Sequence, residues 1–259
     1  MSIDKPFHRC FRGIKEGENS GYSGWAYVLD RDYAKNPKHY TRAYQIIQSD
    51  LQRIFEYIEP SDVNFKTFSF RTHELLVRTC IEIEANFKAI LKENIFNPKD
   101  DKGKNLPENR WNMRHYKKVN ATHHLSKYKI ILPIWSGERG VFYPFKEWDS
   151  NNSLSWYKAY NQSKHDRHVK FEEANFEALL NAISGLVVIL SAQFGTESFS
   201  TGERAISSSG YSYYDSEPAL GELFHIEFPD DWTEDEIYDF NWSNLKTAPV
   251  RFQQLDYDK

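Results

Sequence analysis

The chain has little of what marks several common protein classes. Its 259 residues include two cysteines, Cys10 and Cys80, too few and too far apart for a disulfide framework or a zinc-ligand spacing. A reducing compartment is therefore the expected setting. No apolar run reaches the roughly 18 residues that a membrane span needs; the most apolar, "AISGLVVILSAQFG" at 182–195, falls short. The opening "MSIDKPFHRCFRG" lacks an apolar core of signal-peptide length. Together these absences give the expectation of a soluble, cytoplasmic protein. There is also no phosphate-cradling Gly-rich loop, nucleophile elbow or Cys/His pair at catalytic spacing. Positive charge is not in excess either, with a formal net charge of -4. Binding to nucleic acid would thus need a local basic patch.

What is present is globular. Hydrophobic residues make up 40% and charged residues 27%, enough apolar surface for a core and too much for a disordered chain. Residues 1–38 lack sustained periodicity and read as an irregular arm. From there a helical pattern begins, with Tyr40, Tyr44, Ile47, Leu51, Ile54 and Ile58 at steps of three and four, closed by Pro60. A second helix, "FSFRTHELLVRTCIEIEANFKAILKENIF", carries a core stripe of Leu76, Cys80, Ile83, Phe87 and Ile90. Beside that stripe run Arg71, Glu74, Arg78 and Glu82, read either as a solvated ladder of ion pairs or as cations offered to a substrate.

A loop, "NPKDDKGKNLPEN", leads to a third helical stretch at Trp111 to Leu125. The period then changes. "YKIILPI" and "VFYPF" predict a hairpin within 128–145, and Pro133 and Pro144 confine both strands to edges. "FEEANFEALLNAISGLVVILSAQFG" is apolar nearly all round and predicts the central, most buried helix, capped by Gly195. Beyond it come a Ser/Gly/Tyr-rich linker at 200–217, a strand at "LFHIEF" and the acidic "PDDWTEDEIYDF". The reading is mainly α: a helical bundle over 39–195 with a small β elaboration, followed by linker and tail at 196–259.

The stretch richest in chemistry is "WYKAYNQSKHDRHVKF", residues 156–171, which predicts a helix capped by Asn152 or Ser153. At about 100° per residue, Leu154, Tyr157, Asn161, Lys164, His165 and His168 share one broad face. Ala159, Gln162, Ser163 and Asp166 point the other way. That phase turns Asn161 and His165 toward the bundle or its mouth. A histidine near its titration range, with Lys164 and Arg167 as fixed cations, suits gripping or cleaving a phosphodiester. Tyr157, His168, Arg71 and Arg78 are candidate substrate contacts.

The long "FRTHELLVRTCIEIEANFKAI" helix, then "YNQSKHDR", then the apolar "FEALLNAISGLVVIL", resembles the HEPN superfamily over roughly residues 38–195. The resemblance implies a helical bundle and metal-independent cleavage of RNA without a cofactor. It also implies a homodimer that pairs two motifs in one cleft, in a prokaryotic defence, toxin–antitoxin or RNA-processing setting. The superfamily motif is an Arg, four to six residues, then a His. His165 matches the His; Asn161, four residues ahead, stands where the Arg should be, and Arg167 lies downstream. A second Arg-x4-His occurs at Arg110 and His115 in "RWNMRH".

The alternative is a non-catalytic dimeric scaffold or sensor for RNA, a nucleotide or a partner protein such as an antitoxin. Asp230, Asp231, Glu234, Asp235 and Glu236 form either a docking surface or a solvated helix start. A third class, metal-dependent phosphohydrolysis by His165-Asp166 with His123 and His124, lacks a downstream inward Asp on a helix. No metal is expected.

Overall fold

Helical periodicity decides most of the architecture. The computed structural model describes residues 3–197, 199, 217–218, 220 and 222–259. Nearly all of the Ser/Gly/Tyr-rich linker lies outside the described residues. Helix α2, Pro37–Phe55, starts on the proline, whose missing N–H would have been unpaired there anyway. Its stripe of Tyr44, Ile47, Leu51 and Ile54 is buried. Helix α3, Phe70–Lys92, opens with a capping box. The Ser69 hydroxyl accepts from the Thr72 N–H at 3.1 Å, and the Thr72 hydroxyl accepts from the Ser69 N–H at 2.7 Å. Leu76, Cys80, Ile83, Phe87 and Ile90 are fully buried along it.

Helix α8, Phe176–Phe194, is buried everywhere except Glu177 and Asn181. It packs on α3, on α2 and on α6, Ser155–His165, and so forms the centre of the bundle. Gly195 ends it at φ +61, a conformation that suits glycine. By length and composition α8 could cross a membrane, but 89% of its apolar window is buried inside the fold. Its apolarity therefore has a sufficient cause in the core. Short helices complete the set: α1 at Ser20–Ala26, α4 at Met113–Tyr116, α5 at Asn120–His123, α7 at Arg167–Lys170 and α9 at Trp242–Leu245. The stretch expected as one helix over 111–125 is thus two, joined by a tight 3-10 turn at Lys117–Val119.

The expected hairpin is present and belongs to a small antiparallel sheet. Strand β1, Lys129–Ile131, pairs with β2, Val141–Phe142, and with β4, His225–Glu227. Strand β3, Glu217–Pro218, pairs on the far side of β4, so the end of the expected linker is strand. The confinement of both hairpin strands to edges is corrected: β1 is central. Pro133 sits beyond its last paired residue, Ile131, where no ladder hydrogen bond is lost. The hairpin loop is gathered onto Asp62. Its carboxylate accepts from Trp135 Nε1 at 2.7 Å and from the Glu138 and Arg139 amides at 3.0 and 3.1 Å. Gly137, at φ +131, passes so close that a Cβ would lie 2.6 Å from that carboxylate. A side chain there would have to displace the carboxylate and would strain the backbone.

The N-terminal stretch is irregular, yet it runs through the interior. Arg9 and Cys10 have no exposed surface. The Arg9 guanidinium donates to Glu93 Oε1 and Gln193 Oε1, both at 2.7 Å, and to the Lys35 carbonyl at 2.5 Å. Gln193 in turn donates to Asn86 Oδ1 at 3.0 Å. Its backbone carbonyl accepts the Tyr33 hydroxyl at 2.5 Å. His123 Nε2 donates to the Arg9 carbonyl at 2.8 Å, fixing its tautomer. Arg9 itself holds φ +55, an unfavourable backbone for a long side chain that only surrounding contacts sustain. The C-terminal segment meets the same region through bridges Ile3–Tyr238, Phe7–Gln253 and Ile14–Tyr238. Arm, bundle and tail share one hydrophobic core.

Three outcomes follow from this packing. Val187 is fully buried on α8; Val187→Asp should abolish soluble expression, since an unpaired buried charge costs several kcal/mol against a total of roughly 5–15. A soluble variant with a cooperative melt would contradict the bundle. Glu93→Ala strands the buried Arg9 charge and should cost about 3–5 kcal/mol, lowering Tm on the order of 10 °C; a shift within error would remove Arg9 from its central role. The third outcome concerns pH. Trp135 Nε1–H, then the Glu138 and Arg139 amides, hold the Asp62 carboxyl below its ordinary range. A depressed carboxylate contributes above its unfolded value and loses that contribution as pH falls through the folded one. Amide exchange at Glu138 and Arg139 should therefore accelerate only below the ordinary carboxylate range, and Asp62→Asn should accelerate it at neutral pH; equal protection in that variant would refute the staple.

Candidate functional site

The phase of α6 differs from expectation, and the difference relocates the site. Its buried side chains are Trp156, Ala159, Tyr160 and Ser163. Trp156 is the cause: the largest side chain on the helix is almost wholly enclosed, with Nε1 donating to the Pro144 carbonyl at 2.8 Å. Burying one indole outweighs burying the half-polar Tyr157 stripe. Ala159 and Ser163, expected to point outward, therefore line the core. Asn161 and His165, expected to face the bundle, do not: Asn161 is half-buried and His165 exposed. The expected caps also differ. Leu154 occupies the N-cap position, and the Ser155 N–H is accepted by Glu147 Oε2 at 2.8 Å.

The helix stops at Asp166, whose N–H donates to the Gln162 carbonyl at 2.9 Å. Its own carbonyl then accepts the Lys170 and Val169 amides at 2.8 and 3.2 Å, starting α7 as a separate turn. His168 therefore lies on α7 and does not extend the α6 face. Aspartate competes well for backbone donors outside helix interiors, which accounts for a break there.

The resulting α6–α7 corner is exposed and basic. Lys164, His165, Arg167 and His168 are all exposed on it, with Asp166 as the single acid between residues 164 and 170. Lys164 Nζ donates to the Tyr160 hydroxyl at 3.0 Å, and that bond raises its pKa above the ordinary value, leaving a fixed cation. The Arg167 guanidinium lies 6.0 Å from the centroid of the exposed Phe70 ring at the start of α3. Phe70 and His73 both contact Phe171, joining this corner to the α3 N-terminus. The His165 side chain makes no hydrogen bond among the described residues.

The other candidates divide. Tyr157 donates to Glu84 Oε1 at 2.9 Å; burial, then the Glu84 charge, push its phenol far above the usual range, so it remains a neutral donor. Tyr157 and Asn161 open together on a groove between α4 and α6, with a volume of about 880 Å³. Arg71 and Arg78 line a different groove, between α2 and α3. Arg71 pairs with Glu74 at 3.1 Å, and Arg78 pairs with Asp50 of α2, which also takes Arg53 at 3.0 Å. Their charges are matched locally. The ion-pair ladder thus runs partly between helices and not only along α3.

His123 and His124 serve packing. His123 holds Arg9, as above. His124, at φ +51, has Nδ1 2.8 Å from Asp231 and Nε2 3.2 Å from Glu236, with its ring stacked on Trp232 at 3.9 Å. Two acids of the expected docking surface are therefore engaged by a histidine, although Asp231 stays exposed. Among the described residues no group of three or more His, Cys, Asp or Glu is placed to hold a metal ion.

One chemically unusual group went unnoticed in the sequence. Burial pushes the Cys10 thiol up, but Arg12 Nε at 3.2 Å and the neighbouring His123 outweigh it and hold the thiol at about 6. Arg12 is pinned by the Glu236 and Thr122 carbonyls at 2.9 and 2.8 Å. With Cys10 fully enclosed, this is an internal charge cluster without access for a reactant. Its only sequence signal is the closeness of Arg9, Cys10 and Arg12; the partners lie more than 100 residues away.

No family model, curated protein or solved structure matches this chain.

Proposed function

We propose that the chain is an RNA-directed protein of HEPN type whose α6–α7 corner engages the sugar–phosphate backbone. The observation that carries this reading is that corner itself: Lys164, His165, Arg167 and His168 exposed together on a chain whose net charge is -4. A local excess of cations on an acidic protein favours a polyanion at that spot and nowhere in bulk. Phe70, exposed beneath Arg167, adds a ring on which a base can stack.

In the catalytic form His165 accepts the proton of a ribose 2′-hydroxyl. That oxygen attacks the adjacent phosphorus to give a 2′,3′-cyclic phosphate, and the 5′-oxygen of the next nucleotide leaves as a hydroxyl, taking its proton from water. Lys164 and Arg167 offset the charge that builds on the phosphorane oxygens. The nucleophile is internal to RNA, so DNA lacks it. The HEPN resemblance further proposes a homodimer, with two such corners facing one cleft, and a defence or toxin–antitoxin setting.

A second reading, binding without cleavage, is favoured by two features. Asn161 brings no charge where the motif has Arg, and no described residue orients His165 by a hydrogen bond. The deciding experiment incubates full-length protein with mixed RNA and measures both cleavage and binding. His165→Ala should lower the cleavage rate by about two to four orders of magnitude, the usual share of a general acid–base group. Its Tm should stay unchanged because His165 is exposed, and an all-deoxy strand should survive. Wild-type protein that binds RNA yet leaves it intact establishes the second reading. Protein that neither binds nor cuts RNA defeats both.

A further inference from the structure

From the groove between α4 and α6, we propose that the flank of a single RNA strand lies there and leads to His165. Arg114, Lys117 and Lys158 would grip successive phosphates. This inference rests on the RNA reading above and names where the strand runs.

Charge distinguishes this groove from the one between α2 and α3. The latter holds Arg53, Arg71 and Arg78 against three lining acids, Asp50, Glu56 and Glu74, with Arg53 and Arg78 sharing Asp50 and Arg71 paired with Glu74. In the α4–α6 groove, no carboxylate is among the described lining side chains. Its three cations form no ion pair within the described residues. Lys117 Nζ is steered by the neutral Asn151 Oδ1 at 2.6 Å, which positions the cation without cancelling it. On a chain with 37 acids against 33 Lys and Arg, three unmatched cations around one concave surface are a departure that a phosphate ligand explains.

The remaining lining fits a strand better than a bare anion. Asn152, Asn161 and Gln162 each carry a donor and an acceptor, and Asn151 keeps its amide donors while its oxygen takes Lys117. Such amides match the exposed edges of unpaired bases, and a duplex would hide those edges. The groove also continues toward the corner. Lys158, Asn161 and His165 follow at steps of three and four on α6, so they share one face. Over those seven residues the helix rises about 10 Å. A strand lying on that face meets cations and amides first and His165 at its end. The acids next to the wall are already engaged: Glu84 accepts the Tyr157 hydroxyl and Glu147 accepts the Ser155 N–H.

The test is anisotropy of a labelled, 2′-O-methylated single strand, which resists cleavage, titrated with full-length protein over a range of salt. The variant is R114Q/K117Q/K158Q, whose side chains are exposed or half-exposed, so its melting curve should match wild type. Removing three phosphate contacts should make the log–log salt slope shallower by about two and weaken binding roughly 100-fold near 0.1 M salt. Lys158→Glu alone, a single exposed change, should give a smaller loss in the same direction. If wild type binds and the variants keep both affinity and slope, the groove is not the path, while the RNA reading stands. If wild type binds no RNA, both fail. If AMP at near-stoichiometric concentration displaces the strand from the groove, the site is a mononucleotide pocket and the strand path is wrong.

Discussion

The buried Arg9 guanidinium is the constraint on which the rest of the structure depends. A cation fully removed from water is tolerable only if its donors are satisfied and its charge is answered. Both conditions are met by parts of the chain that are remote in sequence. Glu93 caps the end of α3, Gln193 sits in the last turn of α8, and Lys35 precedes α2. Arg9 therefore lies where α3 and α8 both terminate, at the negative ends of two helix dipoles. Tyr40 and Phe194 present ring faces at 4.8 and 5.7 Å. One side chain thus fixes the relative ends of the three longest helices, and it draws the N-terminal segment inside to do so.

With the N-terminal segment inside, the C-terminal segment has an edge to pair against, and the two close the same end of the bundle. The Cys10–Arg12–His123 cluster continues the logic: Arg12 joins residues 10, 122 and 236 in one set of bonds. Buried polar networks of this kind gain by mutual polarisation when every member is satisfied. The proposed site lies elsewhere, on α4, α6 and α7, where Trp156 anchors α6 to the core and leaves its opposite face free.

Much of this was legible beforehand, for a definite reason. Helices α2 and α3 carry apolar residues at 3.6 spacing on one dominant face, and α8 is apolar nearly all round, so burial follows. Strand pairing of 129–131 with 141–142, and a strand at 225–227, were likewise readable from β-rich runs bounded by turn residues, whereas the pairing of 225–227 with 129–131 is a long-range fact of the fold. Helix α6 was not. It carries two competing stripes, Leu154–Tyr157–Asn161 and Trp156–Ala159–Tyr160–Ser163. The second wins because a long-range partner, the Pro144 carbonyl, accepts the Trp156 indole. The buried charges of the N-terminal segment were illegible for the same reason. No local period marks a residue whose partners are 26, 84 and 184 positions away.

The altered phase of α6 changes what the site can do. Had Asn161 and His165 faced the bundle, they would have been held by core hydrogen bonds and reached only through an opening. Facing outward, they are accessible but lightly oriented, and orientation must come from what binds. Helices hold side chains more rigidly than loops do, and α6 is fixed by Trp156 up to Ser163, where its last buried residue lies. Lys158 and Asn161 are therefore on the firm part of the helix, and His165 on its final turn before the Asp166 break. On the proposed reading, grip belongs to the rigid segment and any chemistry to the freer one. In such a site, binding energy gathered along α6 does the positioning that the protein alone does not supply at His165. That division is why removal of the groove cations and removal of His165 are expected to separate affinity from cleavage.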